Sequence, residues 1–241
     1  WVLKKIEEAS DLELQIVTTG MHLSPEFGLT YQQIEADGFS ITRKVAMLMS
    51  DDSSSGIAKS MGLGMIGFAD AFESLRPDIV LMLGDRFELL SAASAALVAA
   101  LPIAHIHGGE VTTGAFDEAI RHSITKMSQL HFTATEVYRQ RVVQLGEHPN
   151  TVFTVGALGL ENIQHLSLLN RESFEEFIDM PLGKRSLLVT WHPVTLKIGH
   201  SVTEFKELLA TLDLLEDVSL IFTKANADTE GRIINSLIDD Y

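Results

Sequence analysis

The sequence predicts an α/β fold, a doubly wound parallel sheet followed by the beginning of a second α/β domain. Three observations predict it. Short apolar runs alternate with helix-period segments along most of the 241 residues. The links between them are short, and a strand–helix–strand unit with such links pairs its strands in parallel. Runs such as Ile79–Leu83 are apolar throughout, as in a sheet covered on both faces.

The elements follow in order. LQIVTTG, Leu14–Gly20, reads as a buried strand entering a loop. From Ile57 to Leu75 the apolar residues Ile57, Met61, Met65, Phe68, Phe72 and Leu75 recur three or four apart, which makes a helix with one buried face. Arg76-Pro77-Asp78 ends it. IVLML is the next strand, and an alanine-rich helix from Phe87 to Ala100 follows a Gly-Asp turn. Pro102 breaks that helix, and IAHI is the third strand of this reading. A helix from about Asp117 to Gln129, strand LHFTA, helix Glu136–Leu145 and strand VFTVG complete a first domain over 1–157. Residues 158–241 read as the start of a second: a helical stretch over Glu161–Phe177, strand SLLVTWH, a helix over Val202–Leu215, strand SLIFT and a helix from Thr229. Ser53-Ser54-Ser55-Gly56 is a helix-entry loop, not a linker.

Composition narrows the function. A formal charge of −15 and a pI of about 4.9 argue against nucleic acid and anionic membrane surfaces as partners. With no cysteine there is no disulfide framework and no thiolate chemistry. No apolar run is long enough to span a bilayer, and no signal peptide is seen, so a soluble cytoplasmic protein is expected. A small anion remains a possible ligand, held by helix N-termini and arginines.

In open α/β sheets ligands bind beyond the carboxyl ends of the strands. The polar clusters sit there. His22 follows the first strand and Asp85-Arg86 the second; His105–Asp117 follows the third, and His192 the first strand of the second domain. Asp85 either caps the following helix or offers a carboxylate beside an arginine able to hold phosphate. His105 and His107, two apart, are expected on one side of a strand end. With Glu110 they would make three metal ligands, but no further ligand lies at diagnostic spacing, and no metal is expected. Gly108-Gly109 suggests a backbone that must come close to something, such as a ligand. Asp117 and Glu118 open a helix that carries Arg121 and His122 one turn later; this is either helix-end electrostatics or an acid and an arginine aimed at a site. His192, held extended by Pro193, projects from a strand tip. Asn226 and Asp228 either cap a helix or hold a ribose or phosphate. Several acid/base groups at one edge, with no GxGxxG, favour chemistry on a small polar ligand.

The run GDRFELLSAASAALVAALPIAHIHGGEVTTGAFDEAIRHSITK, with TTGMHLSPEFGLTYQQIEADGF before it and TWHPVT after it, resembles the hydrolysing UDP-N-acetylglucosamine 2-epimerases of sialic acid biosynthesis. The resemblance implies two Rossmann-like domains of glycosyltransferase-B type with a UDP-sugar in the cleft between them. It implies a homo-oligomer, dimer or tetramer. The activity implied is conversion of UDP-N-acetylglucosamine to N-acetylmannosamine and UDP, by elimination to a 2-acetamidoglucal and then hydration. That route uses neither metal nor nicotinamide. By motif, Asp85 and Asp117 match catalytic carboxylates, His192 and His22 match active-site histidines, and Arg86 matches a UDP contact. Arg121, Asn226 and Asp228 are the further expected substrate contacts. The sequence departs from the family at His107, which stands where much of the family has the glutamate of an H-x-E motif. Glu110 is the nearest substitute for it as the third acid/base group. The departure also fits relatives acting on UDP-2,4-diacetamido-2,4,6-trideoxyhexose in legionaminic acid synthesis. By the same resemblance the family's first strand would precede Trp1 and its serine-rich phosphate loop would follow Tyr241, so the chain is expected to hold part of the UDP site and to be inactive alone. A UDP-sugar glycosyltransferase of the same fold would need an acceptor. A non-catalytic UDP-sugar sensor is disfavoured by the density of carboxylates.

Overall fold

A computed structural model describes residues 1–197 and 199–241. The chain falls into two compact units, Trp1–Glu161 and Asn162–Tyr241.

In the first unit the order is α1 (Val2–Glu8), β1 (Ile16–Thr19), α2 (Tyr31–Ala36), β2 (Ile41–Val45), α3 (Ser54–Leu75), β3 (Val80–Leu83), α4 (Phe87–Val98), β4 (Ile103–Ile106), α5 (Asp117–Met127), β5 (Leu130–Thr133), α6 (Glu136–Gln144) and β6 (Val152–Thr154); the boundary to the second unit falls within α7 (Gly159–His165). All strand pairs are parallel. Strands β3-β4-β5-β6 form one sheet in sequence order, and β1 and β2 form a separate pair. The alternating grammar therefore does produce a parallel α/β architecture. Strand β2 carries no apolar run to announce it: in ITRKV only Val45 is buried, and Arg43 and Lys44 face solvent. The strand at Val80 is thus the third along the chain, not the second.

Helix α3 begins at Ser53, whose hydroxyl accepts from the Gly56 amide at 3.1 Å. It ends at Arg76 in the left-handed region, before Pro77. Its buried face packs on α4, where Ala92, Ala93, Ala95 and Ala96 are small enough to let helices approach on several sides. Phe68, Phe72, Phe87, Ile103 and Ile124 fill the space between these helices and the sheet.

The second unit holds α8 (Arg171–Phe177), β7 (Arg185–Thr190), α9 (Ser201–Leu212), β8 (Val218–Thr223) and α10 (Gly231–Asp240), with β7 and β8 parallel. Its core gathers Phe205, Leu209, Leu212, Ala225 and Ile234. The expected continuous helix over Glu161–Phe177 is two short ones. Asn170 caps the second, accepting from the Ser173 amide at 2.9 Å, and a cap requires a non-helical backbone there. No described helix is long and apolar enough to cross a membrane.

Candidate active site

The strand tips of the four-stranded sheet are built around a turn that His105 holds. Gly84 leaves β3 with φ 89°, a conformation glycine adopts freely. The His105 ring, fully buried on β4, donates from Nε2 to the Gly84 carbonyl at 2.7 Å. Its Nδ1 then accepts from the Thr125 hydroxyl at 3.1 Å. Burial drives this imidazole down to about 4, and its bond to Gly84 opposes the shift only in part. Both ring nitrogens are occupied, so His105 positions the turn that carries Asp85. It is not available to a metal, and among the described residues no group of three or more His, Asp or Glu side chains gathers at metal-binding distance.

Asp85 does not cap α4. The N-cap position is Arg86, with no side-chain cap bond. The Asp85 carboxylate instead receives Arg121 Nη2 from α5, 36 residues away. Arg121 also donates to the Thr112 hydroxyl at 3.1 Å. Its side chain is 7% exposed, and its Nε and Nη1 are buried without a hydrogen-bond partner among the described residues. Unspent buried donors are costly, and such costs collect at functional sites. Asp117 and Glu118 open α5 one turn before Arg121, and Glu118 accepts from the Thr112 amide at 3.2 Å. Burial lowers the pKa of the neighbouring His122, with Glu118 opposing it.

His107 does not share a face with His105. Strand β4 ends at Ile106, and His107 has φ 64°, left-handed for a residue with a Cβ. Strand alternation is lost at that point, so the ring turns away from the buried pair and meets Glu110, with Nδ1 2.5 Å from Oε1. These side chains are 20% and 27% exposed. The glycines between them lie against helices. A Cβ on Gly109 would lie 2.4 Å from the Tyr138 carbonyl of α6, and one on Gly108 would lie 3.0 Å from Thr125 Oγ1. The Gly109 carbonyl also accepts from Arg141. The loop is therefore clamped to α6, and Glu110 is presented from a fixed backbone.

His22 lies in a 3-10 turn, Gly20–Leu23, directly after β1, its Nδ1 2.8 Å from Thr30 Oγ1. Gly20 lets that turn pass over Glu88, since a Cβ there would sit 2.5 Å from Glu88 Oε1. Glu88 in turn meets Arg86 Nε at 3.4 Å. The His22 turn and the Asp85-Arg86 turn are thus joined through Glu88. Glu88, Thr125 and Arg141 escape a reading of the sequence, because a partner 20 to 70 residues distant leaves no local spacing, and Thr112, 9 residues before Arg121, escapes it because the contact lies across a loop.

In the second unit His192 is exposed after β7, and no hydrogen bond is recorded for it among the described residues. Asn226 Oδ1 accepts from the Asp228 amide at 3.2 Å and so closes a local turn. Asp228 is buried, 8% exposed. Neither caps α10, whose N-cap position is Glu230 with no side-chain cap bond.

A family model described as UDP-N-acetylglucosamine 2-epimerase matches residues 4–241. The chain belongs to the UDP-N-acetylglucosamine 2-epimerase family. Within the family it is 48% identical, over 98% of its length, to GDP/UDP-N,N'-diacetylbacillosamine 2-epimerase (hydrolyzing) from Campylobacter jejuni. It is 38% identical, over its full length, to UDP-N,N'-diacetylbacillosamine 2-epimerase (hydrolyzing) from Legionella pneumophila. It spans 62% and 63% of the length of these two relatives. In fold it is similar to the Staphylococcus aureus MnaA–UDP structure, with TM-score 0.74 and 17% identity, covering 98% of this chain and 61% of that one. The two relatives carry a diacetamido sugar in their names. That sugar is of the kind expected second above.

Proposed function

We propose that this chain carries the strand-tip acid/base groups of a hydrolysing 2-epimerase acting on UDP-2,4-diacetamido-2,4,6-trideoxyhexose. The observation that carries this reading is the 48% identity, over 98% of the chain, to a relative named for that sugar. The reaction has two steps. First, the bond from C1 to the UDP oxygen breaks, UDP leaves with the electron pair, and a carboxylate takes the C2 proton, leaving a C1–C2 double bond. Water then adds its oxygen to C1, and C2 receives a proton on the opposite face. The C2 proton is not beside a carbonyl, so departure of UDP leads and positive charge builds at C1.

In our reading each group has a part. Asp85, fixed by Arg121, is a carboxylate able to stabilise charge at C1 or to accept a proton. His107 and Glu110, 2.5 Å apart, form a second acid/base pair. In our reading Glu110 moves the C2 proton, replacing the family glutamate of H-x-E, while His107 orients it. Asp117 is the third carboxylate, His22 and Arg86 flank the same tips, and His192, Asn226 and Asp228 are the further groups of this reading. The UDP-sugar, anionic through its diphosphate, is the partner, and the site works as part of a homo-oligomer in the cytoplasm.

The test is incubation of the protein with the UDP- and GDP-linked diacetamido sugars and with UDP-N-acetylglucosamine, the products being identified by NMR. The expected outcome is free nucleoside diphosphate with the 2-epimeric diacetamido sugar. Turnover of UDP-N-acetylglucosamine alone would overturn the substrate; transfer only to an added acceptor would overturn the reaction.

A further inference from the structure

Arg86, Phe87 and Glu88 stand in a row at the start of α4, and the Arg86 side chain meets both of the others. Within a continuous helix, residues one and two apart do not face each other. Arg86 is the N-cap residue, with φ −67° and ψ 149°, so its backbone is extended and its side chain can lie along the first turn. Its guanidinium carbon is 5.4 Å from the centre of the Phe87 ring. Its Nε is 3.4 Å from Glu88 Oε2, and its Nη2 donates to Glu88 Oε1 at 3.4 Å. One carboxylate thus holds the Nε–Nη2 edge of the guanidinium side-on, at a range slightly longer than that of a close ion pair.

Glu88 is enclosed from another side as well. It is 6% exposed, and the turn after β1 crosses it at Gly20. Gly20 has φ 57°, and a Cβ there would lie 2.5 Å from Glu88 Oε1 and 2.8 Å from its Cγ. Burying a carboxylate is costly. The first turn of a helix offsets part of that cost, because its N–H groups favour negative charge. An apolar side chain of the same length would fill the space without the cost. What the carboxylate adds is a fixed charge for Arg86, whose own side chain is 23% exposed. An arginine at the rim of a site otherwise samples many rotamers, and a ligand must restrain them.

We propose that Glu88 is the positioning residue for Arg86, holding its guanidinium against the first turn of α4 before an anionic ligand arrives. Glu88 touches no reacting atom. The ligand is the diphosphate of the sugar nucleotide, so the inference rests on the functional reading above, in which Arg86 flanks the strand tips. A guanidinium fixed in advance improves binding of the ground state and the transition state alike. Loss of Glu88 therefore raises KM and leaves kcat nearly unchanged.

The experiment is steady-state kinetics on the UDP-linked diacetamido sugar, with UDP binding by calorimetry and melting temperature on the same preparations. Glu88→Met keeps the length of the side chain and removes its charge. It should raise KM and the Kd of UDP about 10-fold, the scale of fixing one rotamer-rich side chain. The change in kcat should be less than about threefold. The melting temperature should not fall, because the space under Gly20 stays filled and a buried charge is gone. Glu88→Gln keeps the shape and one acceptor, so it should lie between the parent and Glu88→Met; it carries the test if the methionine variant folds poorly. In an Arg86→Met background, Glu88→Met should add nothing further, as for two groups that act as one. An unchanged or lowered KM overturns the proposal, as does a lowered melting temperature with UDP binding intact. An equal factor in both backgrounds overturns it too, since Glu88 would then act without Arg86. A parent that neither binds UDP nor releases it from the sugar overturns the functional reading and the role drawn from it. A parent that does both, with variants that match it, overturns the positioning role alone.

Discussion

The strand tips of the first unit and the loops of the second are built from similar residues in different ways. At the first, carboxylates and bases find partners far along the chain. Asp85 meets Arg121, His105 meets Gly84 and Thr125, and Gly109 is clamped by Arg141. At the second, Asn226 turns back on Asp228 two residues away, and His192 stands exposed. Side chains fixed by long-range contacts are pre-organised, and removing one disturbs both chemistry and fold. Side chains held locally or not at all affect chemistry or a single turn, but not both.

The largest effect expected from that contrast is at Asp85. Asp85→Asn should lower turnover roughly 100-fold or more, as for loss of an acid/base group. It should also lower the melting temperature, since Arg121 is left buried without its charged partner. Kinetics and calorimetry on one preparation read both. Normal turnover with a large stability loss would make Asp85 scaffold alone.

Behind the tips, His105 makes stability depend on pH. Its folded pKa, about 4, lies below the ordinary histidine value of 6.5, so the unfolded chain binds its proton first. Stability is therefore complete above about 6.5 and falls as the pH drops toward 4, by up to about 3 kcal/mol at 1.36 kcal/mol per unit. His131, whose pKa burial also lowers against the pull of Glu147, acts in the same direction. Urea titrations across this window should show the slope, and His105→Asn should flatten most of it. An unchanged slope would mean that other groups carry the acid sensitivity.

The His107–Glu110 pair sharpens the comparison within one loop. Glu110→Gln should reduce turnover about 100-fold and abolish exchange of the C2 proton with deuterated water. His107→Gln should slow turnover and leave exchange detectable. The reverse result would give the proton transfer to the histidine.

The smallest effects belong to the second unit. His192→Gln should lower turnover with no change in melting temperature, because the ring is exposed. Asn226→Ala should cost about 1 kcal/mol, the scale of one local side-chain cap. A concerted loss of stability at His192→Gln would show that the contrast between the regions is misdrawn.

The sequence carried much of this. Periodicity revealed α3, α5 and α9, because a helix needs an apolar face repeated every three or four residues. Continuous apolar runs revealed β3, β4 and β8. The edge strand β2 stayed hidden because ITRKV buries one residue and is held by pairing with β1. The residues placed at strand ends were legible as types, and GDRFE, HGGE and DEAIRH carried the family.

Which of those residues act together was not legible. The sequence by itself determined the parallel α/β grammar, the family and the inventory of acids, bases and arginines. Those depend on local pattern and on motif. Only the tertiary structure decided that Asp85 pairs with Arg121 instead of capping a helix, and that His105 is a buried strut while His107, two residues on, joins Glu110. It also decided that Gly109 lies against α6 and Gly108 against Thr125 of α5. The reason is that each outcome turns on a backbone angle or on a partner dozens of residues away. A positive φ at His107 reverses the direction of a side chain, and a helix packed across the sheet supplies the charge that a local reading assigns to a neighbour.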